Sequence, residues 1–312
     1  MELWFLGTGA GMPIPERNVT SVGLRMPRDG GAFWLFDCGE GTQHRLLRTP
    51  LKLTRLRKLF VTHLHGDHVF GIPGLLSSRS SLGGTEPLAI YGPPGVRELV
   101  ETSLRITGTH LDYPIHIEEI EEGGVCEDGG MKVEAARLDH RVECFGYRVS
   151  ERPRAGALNA GWLAGIGVQP GPAYGRLKAG EDIVLEDGRV VRSIDAVGAP
   201  LAGRVVTVLG DTRPCDGAVK LAQGADVLVH EATFRHDLAD KAEAYGHSTA
   251  LQAAEIARAA GARRLLITHF SSRYKPEDLA DLEREARSVF SRTDAALELK
   301  PYPVSRTNEA DA

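Results

Sequence analysis

No stretch of the chain approaches the ~18 consecutive apolar residues of a membrane span, so no transmembrane helix is expected. The opening Met1-Glu2-Leu3-Trp4-Phe5-Leu6-Gly7 has neither a basic region nor a long apolar one, so secretion is not expected and a cytoplasmic location is. Cysteine is scarce and scattered: Cys38, Cys126, Cys144 and Cys215 form no Cys-x-x-Cys, which excludes a thiolate zinc knuckle and fits reduced thiols better than a disulfide frame. A positive balance is also missing. With 37 basic and 42 acidic residues the net charge is −5, so any nucleic-acid site has to be a local patch. What is plentiful is glycine, 36 in 312 residues, against a usual ~7%. Hydrophobic (42%) and charged (25%) fractions are ordinary for a globular protein, and the length is enough for about two domains.

Short runs rich in β-branched residues predict strands at 19–26, 33–37, 58–62, 88–91, 131–138, 144–149, 205–209, 227–230 and 265–268. Helical stretches fall at about 43–48, 73–82, 96–107, 215–223, 248–260 and 277–288. Two β-rich halves with helices outside them predict an α/β fold of four layers, an αββα sandwich, rather than a regular βαβ alternation. The loop Gly7-Thr8-Gly9-Ala10-Gly11 invites a phosphate-loop reading. It lacks the Gly-Lys-Ser/Thr ending, and Pro13 and Pro15 stand where a helix should begin.

Residues 154–180 break the rhythm with seven glycines and with Pro170 and Pro172, followed by a hairpin pattern turning at Asp187-Gly188. They read as a glycine-jointed arm, with a tolerated surface insertion as the plain alternative. Three parts result: core residues 1–153, an arm at 154–195, and a second core part at 196–312. Before the strand at 58–62, Arg45, Arg48, Lys52, Arg55, Arg57 and Lys58 occur with no acidic residue between them. This stretch reads as a cradle for RNA or as a solvated cationic helix face.

The chemistry concentrates at strand ends. His63-Leu64-His65-Gly66-Asp67-His68 follows a strand directly, and other strands run into Asp139-His140, Asp211 and His269. Seven nitrogen and oxygen ligands are too many for one tetrahedral zinc and suit two divalent ions sharing a carboxylate. Two such ions bring +4, and two aspartates with one hydroxide leave about +1 to meet a phosphodiester.

His63-x-His65-x-Asp67-His68 resembles the metal motif of the metallo-β-lactamase superfamily. A fuller set resembles ribonuclease Z, the tRNA 3′ endonuclease family: Phe5-Leu6-Gly7-Thr8-Gly9, residues 36–43 (Phe36-Asp37-Cys38-Gly39-Glu40-Gly41-Thr42-Gln43), Gly210-Asp211-Thr212-Arg213-Pro214, His230-Glu231-Ala232-Thr233-Phe234, His247-Ser248-Thr249 and residues 269–274. The resemblance runs from the start to about residue 275. It implies a metallo-β-lactamase sandwich with a protruding flexible exosite arm, and zinc-dependent removal of the 3′ trailer from precursor tRNA. The products would be a 3′-hydroxyl on the tRNA and a 5′-phosphate on the trailer.

The resemblance implies two zinc ions per subunit, one on His63, His65 and His140, the other on Asp67, His68 and His269, with Asp211 bridging. Asp67 would accept a proton from the attacking water, and His247, supported by Glu231, would serve the leaving oxygen. In the arm, Gly171, Pro172, Arg176 and Lys178 would contact the tRNA, and in a homodimer the exosite of one subunit would serve the other. Arg17, Thr249 and Arg273 are further candidates for RNA contact. Thr249 with Gln252 also forms a Thr-x-x-Gln capping box, and Arg273 could equally brace its loop. The family's Pro-x-Lys-x-Arg-Asn loop, associated with rejecting mature CCA ends, stands here as Pro13-Ile14-Pro15-Glu16-Arg17-Asn18, with proline in place of the lysine. The competing function is a small-molecule phosphodiesterase of the same superfamily. A non-enzymatic RNA-binding protein with a structural metal is the reading from a different class.

Overall fold

Alternation along the strands divides the interior in two. In Phe33–Phe36, Trp34 and Phe36 enter one apolar cluster, and Phe33 and Leu35 enter another on the opposite face. A strand buried on both sides belongs to a sheet covered on both sides. The computed structural model, which describes residues 1–26 and 30–306, has two seven-stranded sheets among those residues. The first runs in the order Pro301–Pro303, Glu2–Gly7, Ser21–Arg25, Phe33–Phe36, Leu56–Phe60, Leu88–Gly92, Ile115–Glu119. The second runs Thr293–Ala295, Leu265–Thr268, Val227–Glu231, Val205–Val208, Cys144–Glu151, Met131–Leu138, Gly123–Asp128.

The sheets meet through Phe5, Phe36, Phe60 and Tyr91 on one side and Val133, Phe145, Tyr147, Val206 and Val229 on the other. Helices Ile72–Ser81 and Val96–Thr107 cover the outer face of the first sheet through Ile72, Leu75, Leu76, Val96 and Val100. Helices Asp216–Leu221, Ala250–Ala259 and Leu279–Arg287 cover the second through Ala218, Ala254, Ala257 and Leu282. The four layers expected from the sequence are present.

Both sheets place parallel strands at their centres: Phe33–Phe36, Leu56–Phe60 and Leu88–Gly92 in one, Val205–Val208, Val227–Glu231 and Leu265–Thr268 in the other. Parallel neighbours bring their C-terminal ends to one edge, and the motif residues follow those ends. The first sheet is sutured from far along the chain. Glu298 Oε1 accepts hydrogen bonds from the backbone N–H of Thr8 and Asn18, each at 2.9 Å, and its other oxygen pairs with Arg45.

Residues 151–204, together with Arg306, form a second compact unit. Its bounds are wider than the 154–195 read from the sequence, because isolated bridges Arg154–Leu201 and Leu158–Val197 close its base. The last six residues of the part read as 196–312 lie outside the described residues. The unit has its own apolar cluster of Leu163, Val168, Leu177, Ile183, Val191 and Ala196, so it is more than jointed loop. Asn159 caps helix Ala160–Gly165, its side chain accepting from the Trp162 N–H. The hairpin Ile183–Val184 with Val190–Val191 does not turn on two residues. Leu185 N–H bonds to Arg189 C=O, leaving Glu186-Asp187-Gly188 as a three-residue loop with Gly188 at φ 86°.

At the base of this unit, the nearly buried Glu151 carboxylate accepts from Arg204 at 2.7 and 3.0 Å and from Arg306 at 2.9 and 3.0 Å, and also pairs with Arg154. Burial pushes its pKa up, but the Arg204 bonds and charge, with Arg306, outweigh that and hold it below its ordinary 4.5. A depressed carboxylate stabilises the fold above its unfolded pKa and loses that contribution as pH falls through the folded value. Glu151→Gln therefore lowers amide protection across residues 151–204 at pH 7, and the gap to wild type closes below pH ~4. Hydrogen exchange over that range checks this, and equal protection at pH 7 would contradict it.

Candidate metal centre

All seven expected ligands follow the C-terminal ends of strands or sit in the turn just after one. Leu56–Phe60 leads to His63 and His65, and the one-turn helix Gly66–Val69 presents Asp67 and His68. Val205–Val208 leads to Asp211, and Leu265–Thr268 leads to His269. His140 follows Met131–Leu138. Two residues adopt a left-handed backbone to reach the site, His269 at φ 57° and Asp37 at φ 58°. That conformation costs a non-glycine residue about 1–3 kcal/mol and persists only where the surroundings hold it.

The ligand atoms converge in two groups. His63, His65, His140 and Asp211 bring one set together, and Asp67, His68 and His269 another. His65 Nδ1 lies 3.1 Å from His63 Nε2 and 3.3 Å from His140 Nε2. In the second set, His269 Nε2 lies 3.3 Å from His68 Nε2 and 3.4 Å from Asp67 Oδ2. One oxygen, Asp211 Oδ2, stands 3.7 Å from His63 Nε2, 3.5 Å from His68 Nε2 and 3.3 Å from His269 Nε2. Corners of a tetrahedron around an ion bound at about 2.0–2.1 Å lie about 3.3–3.4 Å apart, so both sets have the dimensions of a metal cage.

Hydrogen bonds fix which ring nitrogen faces inward. Thr62 Oγ1 gives its proton to Asp37 Oδ2 at 2.8 Å and so accepts from His63 Nδ1 at 3.0 Å. His68 Nδ1 donates to Asp37 Oδ2 at 2.7 Å, and His140 Nδ1 to the Gly246 carbonyl at 2.6 Å. Thr233 Oγ1 donates to Glu231 Oε2 at 2.7 Å and accepts from His269 Nδ1 at 2.9 Å. Each outer nitrogen therefore keeps a proton, and each Nε2 offers a lone pair to the centre. Burial also pushes the pKa values of His63, His65 and His140 down, which keeps them in the neutral form a metal needs.

Charge points the same way. Asp37, Asp211 and Glu231 are 1–3% exposed, and Asp67 joins them. Burial pushes the His68 pKa down, yet Asp211 and Asp37 outweigh it and raise it well above 6.5, so the pocket favours positive charge. Divalent cations meet that demand, and the chain uses a metal.

Beside the ligands, His247 Nδ1 donates to Glu231 Oε1 at 3.0 Å. Glu231 is held by the N–H groups of Ser248 (2.9 Å), Thr212 (3.2 Å) and Thr233 (3.0 Å). Burial lowers the His247 pKa, but the Glu231 charge and hydrogen bond outweigh it and raise it to about 9. Asp67 Oδ2 accepts from the Gly11 N–H at 2.7 Å, the task that the N-terminal glycine loop performs.

Other expected contacts stand differently. Arg17 is 4% exposed and donates to the backbone carbonyls of Tyr274 (2.6 Å) and Ser271 (3.2 Å), so it is an internal tie and not an open RNA contact. Pro15 takes the second position of the turn closed by Ile14 and Arg17, where its fixed φ fits. Thr249 is fully buried, and its hydroxyl caps Gln252 N–H at 3.3 Å while Gln252 Oε1 accepts from Thr249 N–H at 2.9 Å, which leaves it structural. Arg273 is exposed, with Nε 3.2 Å from Ser271 Oγ and its guanidinium over Phe234. Arg176 pairs with Glu181 at 2.9 Å on helix Pro172–Lys178, where Gly171, Pro172 and Lys178 are exposed.

The basic stretch at 45–58 is not one helix face. Arg45 lies on helix Thr42–Leu46 and Arg55 in a 3-10 turn, while Arg57 and Lys58 lie on a strand. Arg45, Arg57 and Lys58 are paired with Glu298, Glu86 and Asp128. Asp37, Thr62 and Thr233 are the functional positions that the sequence reading did not single out. Asp37 could have been found from its place at the end of an apolar strand just before Cys38-Gly39.

Residues 1–150 match the family described as Anti-Pycsar protein Apyc1, and residues 187–270 match the β-lactamase superfamily domain. The chain is 52% identical over 307 residues to ribonuclease Z of Bacillus cereus, covering 98% of this chain and 100% of the relative. Among solved structures, human tRNase Z, short form, matches with a TM-score of 0.69 and 31% identity over 98% of this chain and 100% of that one. A long-form RNase Z from yeast shares the fold at TM-score 0.65 and 19% identity, over 97% of this chain and 42% of that one. The sandwich is thus the metallo-β-lactamase fold, and 52% identity along nearly the whole chain means that the chain belongs to the ribonuclease Z family.

Proposed function

We propose that the protein is the endoribonuclease that removes the 3′ trailer from precursor tRNA, leaving a 3′-hydroxyl on the tRNA and a 5′-phosphate on the trailer. The observation that carries this reading is Asp211 Oδ2, a single carboxylate oxygen within 3.3–3.7 Å of His63, His68 and His269 and therefore common to both ligand groups. Two zinc ions would be held here, one by His63, His65 and His140 and the other by Asp67, His68 and His269, with Asp211 available to both. When bound they supply Lewis-acid polarisation of the phosphate and lower the pKa of water.

The chain's own groups do the rest. Asp67, near the Gly11 N–H and His269, is placed to take the proton of the attacking water. Burial raises its pKa, but the His269 hydrogen bond with the His68 and His269 charges outweighs this, so it stays ionised and ready to accept. His247, its ring 5.4 Å from that of His269, would present its Nε2 as the donor for the leaving 3′ oxygen. Glu231 holds the His247 proton and orients the ring. A base for the water and an acid for the leaving oxygen are the two groups that in-line displacement at phosphorus needs.

The unit at 151–204 is read as the tRNA-binding exosite arm, with Gly171, Pro172, Arg176 and Lys178 on its exposed helix and Arg273 near the centre as an RNA contact. In a homodimer the arm of one subunit would serve the other's centre. Free cysteines support a cytoplasmic site of action, and among the described residues no helix is long and apolar enough to cross a membrane.

Three measurements test this. Asp67→Ala lowers kcat/KM on a CCA-less precursor tRNA by about 10²–10⁴-fold with metal content verified, and unchanged turnover would sink the assignment. His247 donates only while protonated, so activity falls as pH rises through its pKa. Glu231→Gln removes the group that raises that pKa, and the alkaline limb of the kcat/KM profile moves to lower pH. Chelation strips counter-charge from Asp37, Asp67 and Asp211 and lowers the thermal midpoint. Zinc at a hundred times its Kd returns about 2.7 kcal/mol.

A further inference from the structure

Phe70 ends the one-turn helix that carries Asp67 and His68, and it is 67% exposed, the most exposed of the aromatic side chains among the described residues. A single exposed apolar residue ordinarily needs no explanation. This one is distinguished by where its ring rests. It lies on Gly66, between the ligands His65 and Asp67, so closely that a Cβ at Gly66 would stand 2.2 Å from the Phe70 Cε2. Glycine at 66 is what lets the ring lie against the metal loop.

A second element brings another exposed apolar side chain to the same carboxylate. Gly11 donates its N–H to Asp67 Oδ2 at 2.7 Å, and the next residue, Met12, is 58% exposed. Two segments 50-odd residues apart in sequence thus each carry an open apolar side chain beside a residue that adjoins Asp67, Phe70 against Gly66 and Met12 next to Gly11, while the His247 side of the centre carries the Glu231 pair. Unpaired RNA is bound through such surfaces, because every base has an apolar face that stacks on aromatic side chains.

The reaction geometry says which base. On the proposed function, which this inference deepens, the leaving oxygen belongs to the tRNA and faces His247, and the trailer keeps the phosphate. The last tRNA nucleoside, which carries the leaving oxygen, therefore lies toward His247, and the first trailer nucleoside, joined through O5′ at an equatorial position of the phosphorus, leads off to the side, where the open face of the metal loop receives it. We propose that Phe70, with Met12, forms a stacking subsite for the base of the first trailer nucleotide. The subsite reads a flat apolar face, so it accepts any base and distinguishes a base from its absence.

The test uses the metal-loaded protein and precursor tRNAs with adenine or an abasic ribose at the first trailer position. Phe70→Ala raises KM about tenfold on the adenine substrate, the scale of one base–aromatic stack. Removing the base costs the wild type the same, the two losses do not multiply, and Phe70→Trp restores the adenine KM. A 2-aminopurine at that position is quenched on mixing with wild type before cleavage and stays bright with Phe70→Ala. The same probe on the last tRNA nucleotide responds equally to both proteins. Losses that multiply, a quench that survives Phe70→Ala, or a KM change that follows an altered oligomeric state in sedimentation would each overturn the subsite. Wild-type cleavage at the tRNA–trailer junction is read in the same assay, so failure of the processing activity is seen apart from failure of the subsite.

Discussion

Four carboxylates, Asp37, Asp67, Asp211 and Glu231, are gathered at one edge of the sandwich, and the rest of the molecule is arranged around that gathering. Carboxylates taken out of water are tolerated only when paired or bound to metal. Each has its own answer here. Asp37 holds Thr62 and His68, Glu231 holds His247 and three backbone N–H groups, and Asp67 and Asp211 face the imidazoles. The outer two orient the rings and the inner two face the gathered imidazoles, so the negative charge is divided between scaffolding and the candidate centre. The left-handed backbone at Asp37 and His269 is stored strain that this network holds in place.

The ligand set was legible in the sequence because its chemistry is local. His63, His65, Asp67 and His68 crowd six positions after an apolar strand, and His140, Asp211 and His269 each follow a strand of their own. The layer around the ligands was not legible, because its logic lies in pairs far apart in the chain. Thr233 matters for its hydroxyl's place between Glu231 and His269, and Gly246 for one carbonyl facing His140. Neither residue type announces such work.

The same contrast holds for the fold. The central strand Leu265–Thr268 was read to the residue because burial throughout demands apolar, branched side chains, and Met131–Leu138 because its buried residues mostly alternate with partly open ones. Edge strands were missed. Ile115–Glu119 and Gly123–Asp128 are mostly exposed and carry charge and glycine, as edges that must resist pairing with other chains do. Glycine-rich composition hid the apolar cluster at 163–196, since six spaced residues suffice for a small core and leave no periodic pattern. Arg17 looked like a substrate group by its motif and proves to be tied to backbone, which only burial could reveal, whereas Thr249 makes the capping box that its Thr-x-x-Gln pattern had offered beside RNA contact.

The suture at Glu298 also governs when the centre can exist. Its contacts to Thr8 and Asn18 span 290 and 280 residues of sequence, and they fix the glycine loop whose Gly11 holds Asp67. A chain emerging from the ribosome has every metal ligand by His269 but cannot anchor that loop until Glu298 follows. Contacts of such long sequence separation also form slowly, because the intervening chain must be ordered first. The first loop of the centre, although made first, is therefore the part that waits for the end of the chain to be held in place.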